Sequence, residues 1–467
     1  MRHLGMLEAQ ILYAMGVKPR WDEGGRVVGM ETIPLAQLGR PRIDVVISLT
    51  GLYRDQFPNV MERFNEAIGM LAGLNEGKEQ NHIKTNTERI KATLMAKGIA
   101  PDVANRFALT RIFGNESGEY GTKLTDATLA SDTWDEGDGR LEKLYLSRMS
   151  WAYGPDTANW SSKLFEAGGR EINTYAEHLR GTSAAVFSRS SNLRGLLDTD
   201  HPFEYLGGIS MAVKYLDGKS PQLYVSNMRD PSKAKLETAE KFLATELRSV
   251  YQHLNWMKEM QKEGYAGTLQ MLNAVNNFWG WQVMDRNVVR DDQWQEFHET
   301  YVKDRYKLGI REWFEMSNPT ALAQMTERML EAIRKDYWKA DEQTKRELVA
   351  VYQQVARTHD VHTSNETFKA YVKELSQGFG LGANQRQQSR ATTPPPTKVS
   401  QMQSANPLPT PDVVRGQEMR EVKKEQRMEQ LIWTYAGLIA LVVLGGIGFQ
   451  AWRTRQEFGT RTPGQPL

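Results

Sequence analysis

The long apolar run near the C-terminus constrains the fold more than any other feature of the sequence. It extends from Leu431 to Trp452 and reads LIWTYAGLIALVVLGGIGFQAW, without a charged residue. A helix of these 22 residues is about 33 Å long, which is enough to cross the hydrocarbon core of a bilayer. Aromatic residues lie near both ends, as they do at membrane interfaces: Trp433, Tyr435, Phe449 and Trp452. The sequence therefore predicts a single C-terminal transmembrane helix over residues 431–452.

Basic residues on the two sides of this run indicate its orientation. Five Lys/Arg residues precede it within residues 415–430, and three follow it in a short basic tail, residues 453–467. The side with more positive charge normally faces the cytoplasm. The N-terminus is interrupted by Glu8 and Gln10 and lacks a secretory apolar segment. We therefore expect a single-pass protein of the cytoplasmic membrane whose large N-terminal part lies in the cytoplasm.

The segments before the apolar run read as a tether. Residues 377–414 are rich in Pro, Gln and Ser, and they cannot bury enough apolar surface to offset the entropy lost on ordering. This composition predicts a disordered Pro-rich linker. Residues 415–430 alternate in charge and contain good helix formers, so they predict a charged juxtamembrane helix.

The remaining residues show two patterns of apolar spacing. Residues 1–231 mix helical periodicity with short buried-strand candidates, whereas residues 232–376 are helical almost throughout. The predicted fold class is a mixed α/β (α+β) first part followed by a mainly helical part, in a chain of 467 residues. The individual predictions are helices over Leu4–Met15 and Asn59–Leu74 and strands over Arg26–Ile33, Ile43–Leu49, Ala185–Ser188 and Leu223–Ser226.

Composition and charge exclude several classes of function. The chain has no cysteine, which excludes disulfides, thiolate metal sites and cysteine nucleophiles. Its net charge is +2, but the residues from Ser376 onward carry +5, which leaves the preceding residues at −3. A nucleic-acid-binding domain normally carries a basic excess, so we expect no nucleic-acid partner.

The nearest look-alike of a phosphate-binding loop, Gly114–Leu124, has Glu119 and Thr122 where glycines are required. We therefore expect that this chain does not itself hydrolyse ATP.

Two segments concentrate groups that could bind metal or transfer protons. The acidic stretch Ser131–Arg140 can gather a cation or can form a solvated turn, and its spacing does not match a calcium loop. The segment Ser188–Gly208 is richer, since it contains His201 and Glu204 one helical turn apart if Pro202 begins a helix. An imidazole beside carboxylates can ligate a divalent metal or accept protons. The competing interpretation is that Asp200 caps that helix and His201 is satisfied by a hydrogen bond.

Four stretches of the sequence resemble a known family. They are residues 16–58 (GVKPRWDEGGRVVGMETI and onward), 131–154 (SDTWDEGDGRLEKLYLSRMSWAYG), 198–210 (DTDHPFEYLGGIS) and 330–340 (LEAIRKDYWKA). Together they resemble the C-terminal portion of the large subunit of the cobaltochelatase/magnesium chelatase family. The Asp-Thr-Asp-His-Pro-Phe-Glu-Tyr segment is more similar to the cobalt-inserting branch.

The resemblance implies an activity and a set of partners. It implies ATP-dependent insertion of Co²⁺ into hydrogenobyrinic acid a,c-diamide during cobalamin biosynthesis, with the large subunit binding the ring and the metal. ATP and Mg²⁺ would be used by two partners, an AAA+ ATPase subunit and a subunit with an integrin-like domain. A magnesium-chelatase-type subunit that acts on protoporphyrin, and a membrane-anchored tetrapyrrole-binding or scaffold protein without insertion activity, remain open. The chain can also be a fragment of a longer subunit.

The resemblance also assigns candidate roles to individual residues. Metal insertion requires groups that strip water from the metal and remove ring N–H protons, and groups that hold the ring and its peripheral carboxylates. On this basis the catalytic candidates are His201 and Glu204. The metal candidates are His201, Glu204, Asp198 and Asp200. The substrate-binding candidates are Arg189, Asn192, Arg194, Trp134, Arg148 and Trp151.

Overall fold

The computed structural model describes residues 4–381. Most of the predicted tether, and all of the juxtamembrane helix, the transmembrane helix and the basic tail, lie outside these residues, so those assignments stay predictions. Within residues 4–381, no helix is both long enough and apolar enough to cross a membrane.

The N-terminal segment forms a helix and a β-hairpin. Helix α1 spans Leu4–Met15, as its periodicity predicts, and it leads into strands β1 (Val17–Trp21) and β2 (Val27–Thr32), which pair antiparallel. Strand β2 lies within the predicted strand Arg26–Ile33. A short helix, α2 (Leu35–Leu38), follows and ends at Gly39, whose positive φ a residue with a side chain adopts only with strain.

The first small sheet contains β3 (Ile47–Ser48), β4 (Ile112–Gly114) and β5 (Trp151–Ala152), with β3 parallel and β5 antiparallel to β4. Only two residues of the predicted strand Ile43–Leu49 form a strand, so that prediction is mostly wrong. The Asp44 carboxylate instead accepts a hydrogen bond from the buried Arg111 guanidinium at 2.7 Å. The helices around this sheet are α3 (Gly51–Gln56), α4 (Pro58–Ala72), α5 (His82–Ala96), α6 (Pro101–Leu109), α7 (Leu124–Leu129) and α8 (Arg140–Arg148).

The second sheet has the order β10–β9–β8. Strands β8 (Ala184–Arg189) and β9 (Gln222–Asn227) are parallel, and β10 (Lys235–Thr238) is antiparallel to β9. The crossover between β8 and β9 is a loop, a π-helical turn (Phe203–Gly207) and helix α10 (Gly208–Asp217). A hairpin and a helix precede it: β6 (Leu164–Phe165), β7 (Glu171–Ile172) and α9 (Thr174–Leu179). The sequence predicts β8 and β9 but misses the edge strand β10.

The second half of the described residues is helical, as predicted. Its helices are α11 (Ala239–Glu246), α12 (Leu254–Lys262), α13 (Tyr265–Met284), α14 (Asp291–Phe297), α15 (Ile310–Ser317), α16 (Pro319–Arg334), α17 (Glu342–Thr358) and α18 (Glu366–Gly378). Two more π-helical turns follow α11 and α14, at Leu247–Tyr251 and His298–Val302. Single 3₁₀ turns occur at Thr157–Asn159 and Pro231–Lys233.

Helix α13 lies at the centre of the larger apolar core, which includes residues on both sides of the predicted boundary at 231/232. Trp279 and Trp281 are completely buried on this helix. Their indole N–H groups donate to the carbonyls of Thr128 (3.0 Å) and Leu196 (3.1 Å). Two tryptophans of α13 therefore connect the helical half to α7 and to the loop after β8.

A glycine on α13 makes room for the crossover helix, and this contact can be tested. A Cβ atom at Gly280 would lie 2.7 Å from the Phe203 ring, whereas one at Gly69, on α4, would meet nothing within 4 Å. We expect Gly280→Ala to lower the free energy of unfolding by about 1–3 kcal/mol through overpacking. Gly69→Ala should raise it by up to about 1 kcal/mol through helix propensity. Urea denaturation of both variants measures the difference; equal effects would show that Phe203 moves aside freely.

Candidate functional site

The crossover from β8 to β9 places the His201 segment at one edge of a sheet. Because β8 and β9 are parallel, their carboxyl ends lie together, with Arg189 paired in register to Asn227. The residues after β8 therefore run across this edge before the helix begins at His201 and Pro202. The carboxyl edge of parallel strands is the usual location of binding sites in α/β folds.

His201, Asp200 and Glu204 form a connected group with Thr125. The His201 Nδ1 lies 2.9 Å from the Asp200 Oδ1, and the Thr125 hydroxyl donates to the Asp200 Oδ2 at 3.0 Å. The Thr125 backbone N–H donates to the Glu204 Oε1 at 3.3 Å. The structure thus brings the two catalytic candidates together, and Thr125 at the start of α7 holds both carboxylates.

The imidazole of His201 is the accessible member of this group. Its side chain is 58% exposed, and its ring stacks on Tyr205 with 6.2 Å between the ring centroids. The hydrogen bond to Asp200 raises the pKa of His201 above its ordinary value of 6.5, and the same contact lowers the pKa of Asp200. With Nδ1–H directed to Asp200, the Nε2 lone pair can accept a proton or bind a metal ion from the solvent side.

The contacts of Glu204 and Asp198 differ from those expected of the predicted metal ligands. Glu204 is only 4% exposed, on the π-helical turn, so its carboxylate supports the site from inside. Asp198 accepts hydrogen bonds from the Gly195 N–H (2.9 Å) and from the Arg194 guanidinium (3.1 Å). Within residues 4–381, no group of three or more His, Asp or Glu side chains is arranged to hold a metal ion. The four predicted metal ligands therefore do not form a preorganised site.

The competing interpretation holds in part, because Asp200 precedes the helix and His201 is satisfied by a hydrogen bond, but the Asp200 side chain does not cap a backbone N–H of that helix. Its two side-chain oxygens bind His201 and Thr125, whereas the Glu204 N–H donates to the backbone carbonyl of Asp200.

The loop that carries these residues is fixed by a buried carboxylate that the sequence analysis missed. Glu246, 5% exposed at the end of α11, accepts hydrogen bonds from the N–H groups of Leu196 (2.7 Å) and Leu197 (3.5 Å). Burial raises the pKa of Glu246. A Cβ atom at Gly195 would overlap this carboxylate, so glycine is required there. Asn277 on α13 donates to the Leu197 carbonyl at 2.8 Å and completes the attachment.

Three predicted substrate-binding residues lie on or beside this loop. The Arg189 Nε donates to the Gly195 carbonyl at 2.7 Å, and burial lowers the pKa of Arg189 to about 10. Arg194 is exposed and paired with Asp198, and Asn192 is exposed at the tip of the loop. The structure therefore gathers Arg189, Asn192 and Arg194 on the same side of the molecule as His201.

Of the other three candidates, Arg148 lies near the site and the two tryptophans do not contact it. Arg148 contacts the Glu119 carboxylate at 3.1 Å, and its positive charge limits the rise in the pKa of Tyr205, so it lies near that ring. Trp151 is half-buried on β5, with the Lys163 ammonium 5.0 Å from its ring centroid. Trp134 is in the core against Trp279, away from any surface that a ring could reach.

The acidic stretch Ser131–Arg140 forms a turn, as the simpler of the two interpretations expects. The Asp138 carboxylate accepts hydrogen bonds from the N–H groups of Asp135 (3.0 Å) and Arg140 (2.8 Å). These bonds lower the pKa of Asp138 against the effect of burial. Its carboxylate is thus used to fix the backbone ahead of α8.

Comparisons with known proteins identify similar sequences. A family profile described as CobN/Magnesium Chelatase matches residues 1–345. The aerobic cobaltochelatase subunit CobN of Sinorhizobium sp is 30% identical over 71% of this chain and 25% of its own length. The chloroplastic magnesium-chelatase subunit ChlH of Oryza sativa subsp. japonica is 30% identical over 74% of this chain and 24% of its own.

A solved structure is similar as well. The catalytic subunit of cobaltochelatase from Mycobacterium tuberculosis superimposes with a TM-score of 0.66 and 29% sequence identity, over 75% of this chain and 28% of that one. The chain thus spans about a quarter of the length of these relatives.

The contact between Asp200 and His201 predicts a higher proton affinity of the His201 imidazole. The hydrogen bond favours the charged imidazolium, so its stabilising effect is present below about pH 6.5 and is lost as pH rises through the raised pKa of His201. We expect Asp200→Asn to lower the pKa of His201, as measured by NMR titration of its ring protons. Asp198→Asn removes a charge from the same loop without breaking that bond, and should change it little. An unchanged pKa in Asp200→Asn would contradict the pairing.

Proposed function

The chain belongs to the CobN/Magnesium Chelatase family, and on that basis we propose that it forms part of the large, ring- and metal-binding subunit of an ATP-dependent chelatase. The proposed reaction is insertion of Co²⁺ into hydrogenobyrinic acid a,c-diamide in cobalamin biosynthesis. The observation that carries the proposal is the exposed imidazole of His201, held by the Asp200 carboxylate at the carboxyl edge of β8 and β9.

The chemistry of insertion explains why such a group is useful. When a divalent metal enters the ring, all four ring nitrogens bind it and the ring N–H protons leave, one from a corrin and two from a porphyrin. The free Nε2 of His201 can accept one proton, with the Asp200 carboxylate stabilising the resulting imidazolium. Glu204 lies close enough for its charge to favour the imidazolium as well. In the porphyrin alternative, the second proton leaves to solvent or to another base.

The identity of the site residues supports cobalt over magnesium as the substrate metal. Imidazole nitrogen is a favoured ligand of first-row transition metals, whereas Mg²⁺ prefers carboxylates, carbonyls and water. The accessible metal-binding atom of this site is the His201 Nε2, and the nearby carboxylates of Asp200 and Asp198 are already hydrogen-bonded. A magnesium-chelatase-type subunit acting on protoporphyrin is the alternative within the same family.

The proposal includes partners that supply energy. The look-alike loop Gly114–Leu124 lacks the residues that surround phosphates, so ATP and Mg²⁺ are assigned to an AAA+ ATPase subunit and a subunit with an integrin-like domain. We further propose that residues 431–452 anchor the chain in the cytoplasmic membrane, with the large N-terminal part in the cytoplasm.

A second function is favoured by the apolar run over residues 431–452. It is that of a membrane-anchored tetrapyrrole-binding or scaffold protein without insertion activity. The two functions differ in catalysis rather than in ring binding, so an insertion assay separates them.

The test of the proposed reaction compares two histidines that each contact an aspartate. We expect His201→Ala to slow Co²⁺ insertion at least a hundredfold, since that is the usual value of a general base. The assay is ring absorbance in the full chain reconstituted with the family's other subunits. His362→Ala is the matched control, because His362 lies 3.0 Å from Asp360 on an exposed loop and should have no effect.

Ring binding is measured in parallel by quenching of tryptophan fluorescence with hydrogenobyrinic acid a,c-diamide and with protoporphyrin. Insertion at the parental rate in His201→Ala would refute the assignment of His201. Ring binding by the parental chain with no insertion would support the scaffold function instead.

The membrane proposal has a separate test. We expect the full chain to remain with membranes after alkaline carbonate extraction, because removal of this run of 22 uncharged, mostly apolar residues from lipid is strongly unfavourable. A variant that stops at Gln430 keeps the juxtamembrane charges but lacks the apolar run, and it should appear in the soluble fraction. Equal extraction of both proteins would contradict the anchor.

A further inference from the structure

Two arginines at the carboxyl edge of the second sheet have no acidic partner. Arg189 ends β8, and Arg229 follows the end of β9 by two residues. The Met228 N–H donates to the Arg189 carbonyl at 2.8 Å, so the two chain segments are in contact here. Of the residues that the structure describes, no carboxylate forms an ion pair with either guanidinium.

The two guanidinium groups are held by adjacent peptide carbonyls, one each. The Arg189 Nε donates to the Gly195 carbonyl at 2.7 Å, and the Arg229 Nη2 donates to the adjacent Arg194 carbonyl at 3.0 Å. Each guanidinium also lies over a phenylalanine ring, Phe187 at 4.4 Å and Phe242 at 4.5 Å from the ring centroid. The two positive groups are therefore oriented together before any ligand arrives.

The nearby carboxylates are already occupied. Glu246 accepts the N–H groups of Leu196 and Leu197, and Asp198 accepts the Gly195 N–H and the Arg194 guanidinium. Burial lowers the pKa of Arg189, the charges of Asp198 and Glu246 oppose that effect, and repulsion from the neighbouring Arg229 and Arg194 adds to it. The Arg229 Nε is buried and has no hydrogen-bond partner among the described residues. An anion bound here would reduce the repulsion between these positive charges. It would also accept hydrogen bonds from N–H groups that otherwise have no partner.

We propose that Arg189 and Arg229 form a binding site for one side-chain carboxylate of the ring substrate and distinguish that acid from its amide. The inference rests on the function proposed above, and it adds Arg229, which the sequence analysis did not single out. A planar carboxylate fits between two guanidinium groups, whereas an amide offers one acceptor and adds donors that face other donors. Arg180, which follows α9 ahead of β8 and pairs with Asp217, lies outside this site and serves as the control.

The test compares Arg229 with Arg180 in the full chain. The ligands are hydrogenobyrinic acid a,c-diamide and the same ring with its remaining side-chain carboxylates converted into amides. We expect Arg229→Gln to weaken binding of the acid roughly tenfold and to leave binding of the amide unchanged. Arg180→Gln should alter neither affinity. Equal losses for both rings in Arg229→Gln, or a larger loss in Arg180→Gln, would overturn the site.

A second measurement keeps this inference separate from the proposed function. We expect the small tricarboxylate tricarballylate to raise the thermal midpoint of the parental chain and of Arg180→Gln, but not that of Arg229→Gln. If neither ring binds the parental chain, the proposed function fails, and this shift alone decides the carboxylate site. No shift in the parental chain, or a larger one with inorganic phosphate at equal concentration, would overturn the carboxylate assignment. Similar midpoints without ligand show that both variants are folded.

Discussion

The hydrogen bonds from the Leu196 and Leu197 N–H groups to the buried carboxylate of Glu246 determine where the candidate site lies. A carboxylate can remain buried only when its oxygens are satisfied, and here backbone donors of the loop after β8 satisfy them. The loop must then pass directly under α11, which requires the absence of a side chain at Gly195. The position of this loop in turn fixes where Asp200 and His201 emerge, and it supplies the carbonyls that orient Arg189 and Arg229. One buried contact therefore organises both the proton-accepting group and the positively charged surface beside it.

The helical half acts on the site through α13. Its indole and amide groups bind three backbone carbonyls, of Thr128, Leu196 and Leu197, so α7 and the loop are both held by one rigid helix. The π-helical turn Phe203–Gly207 packs on this helix at Gly280, and it carries Glu204 on its inner side. Such turns occur often at functional sites, where the wider turn directs a side chain away from the position that a regular α-helix would give it. The site is thus part of the core, with only the His201 ring and the loop tip exposed.

Local patterns in the sequence predicted much of the fold. The bounds of α1 match, α4 begins one residue before its predicted start, and β8 and β9 each extend the predicted strand. These elements are predictable because their apolar spacing is independent of distant residues. Strand β10 is an edge strand, and its Leu236 is exposed. It was missed because its sequence lacks the alternation of buried apolar and exposed polar residues that predicts a strand. Most of Ile43–Leu49 failed as a strand because Asp44 pairs with Arg111, which is distant in sequence.

The site was predictable only in part, for the same reason. His201, Asp200 and Glu204 are close in sequence, and their proximity follows from a helix that begins near Pro202. Thr125 and Glu246 lie far from them in the chain, and no motif links these positions to the loop that they hold.

The separation of these partners along the chain has a consequence for protein synthesis. The loop leaves the ribosome before α11 and α13 exist, so it has neither Glu246 nor Trp281 to hold it. The nascent chain therefore cannot present an assembled His201 site to free metal ions until the helical half has folded. On the proposed function, the order of translation would delay contact with the metal until the surface around Arg189 and Arg229 is also in place.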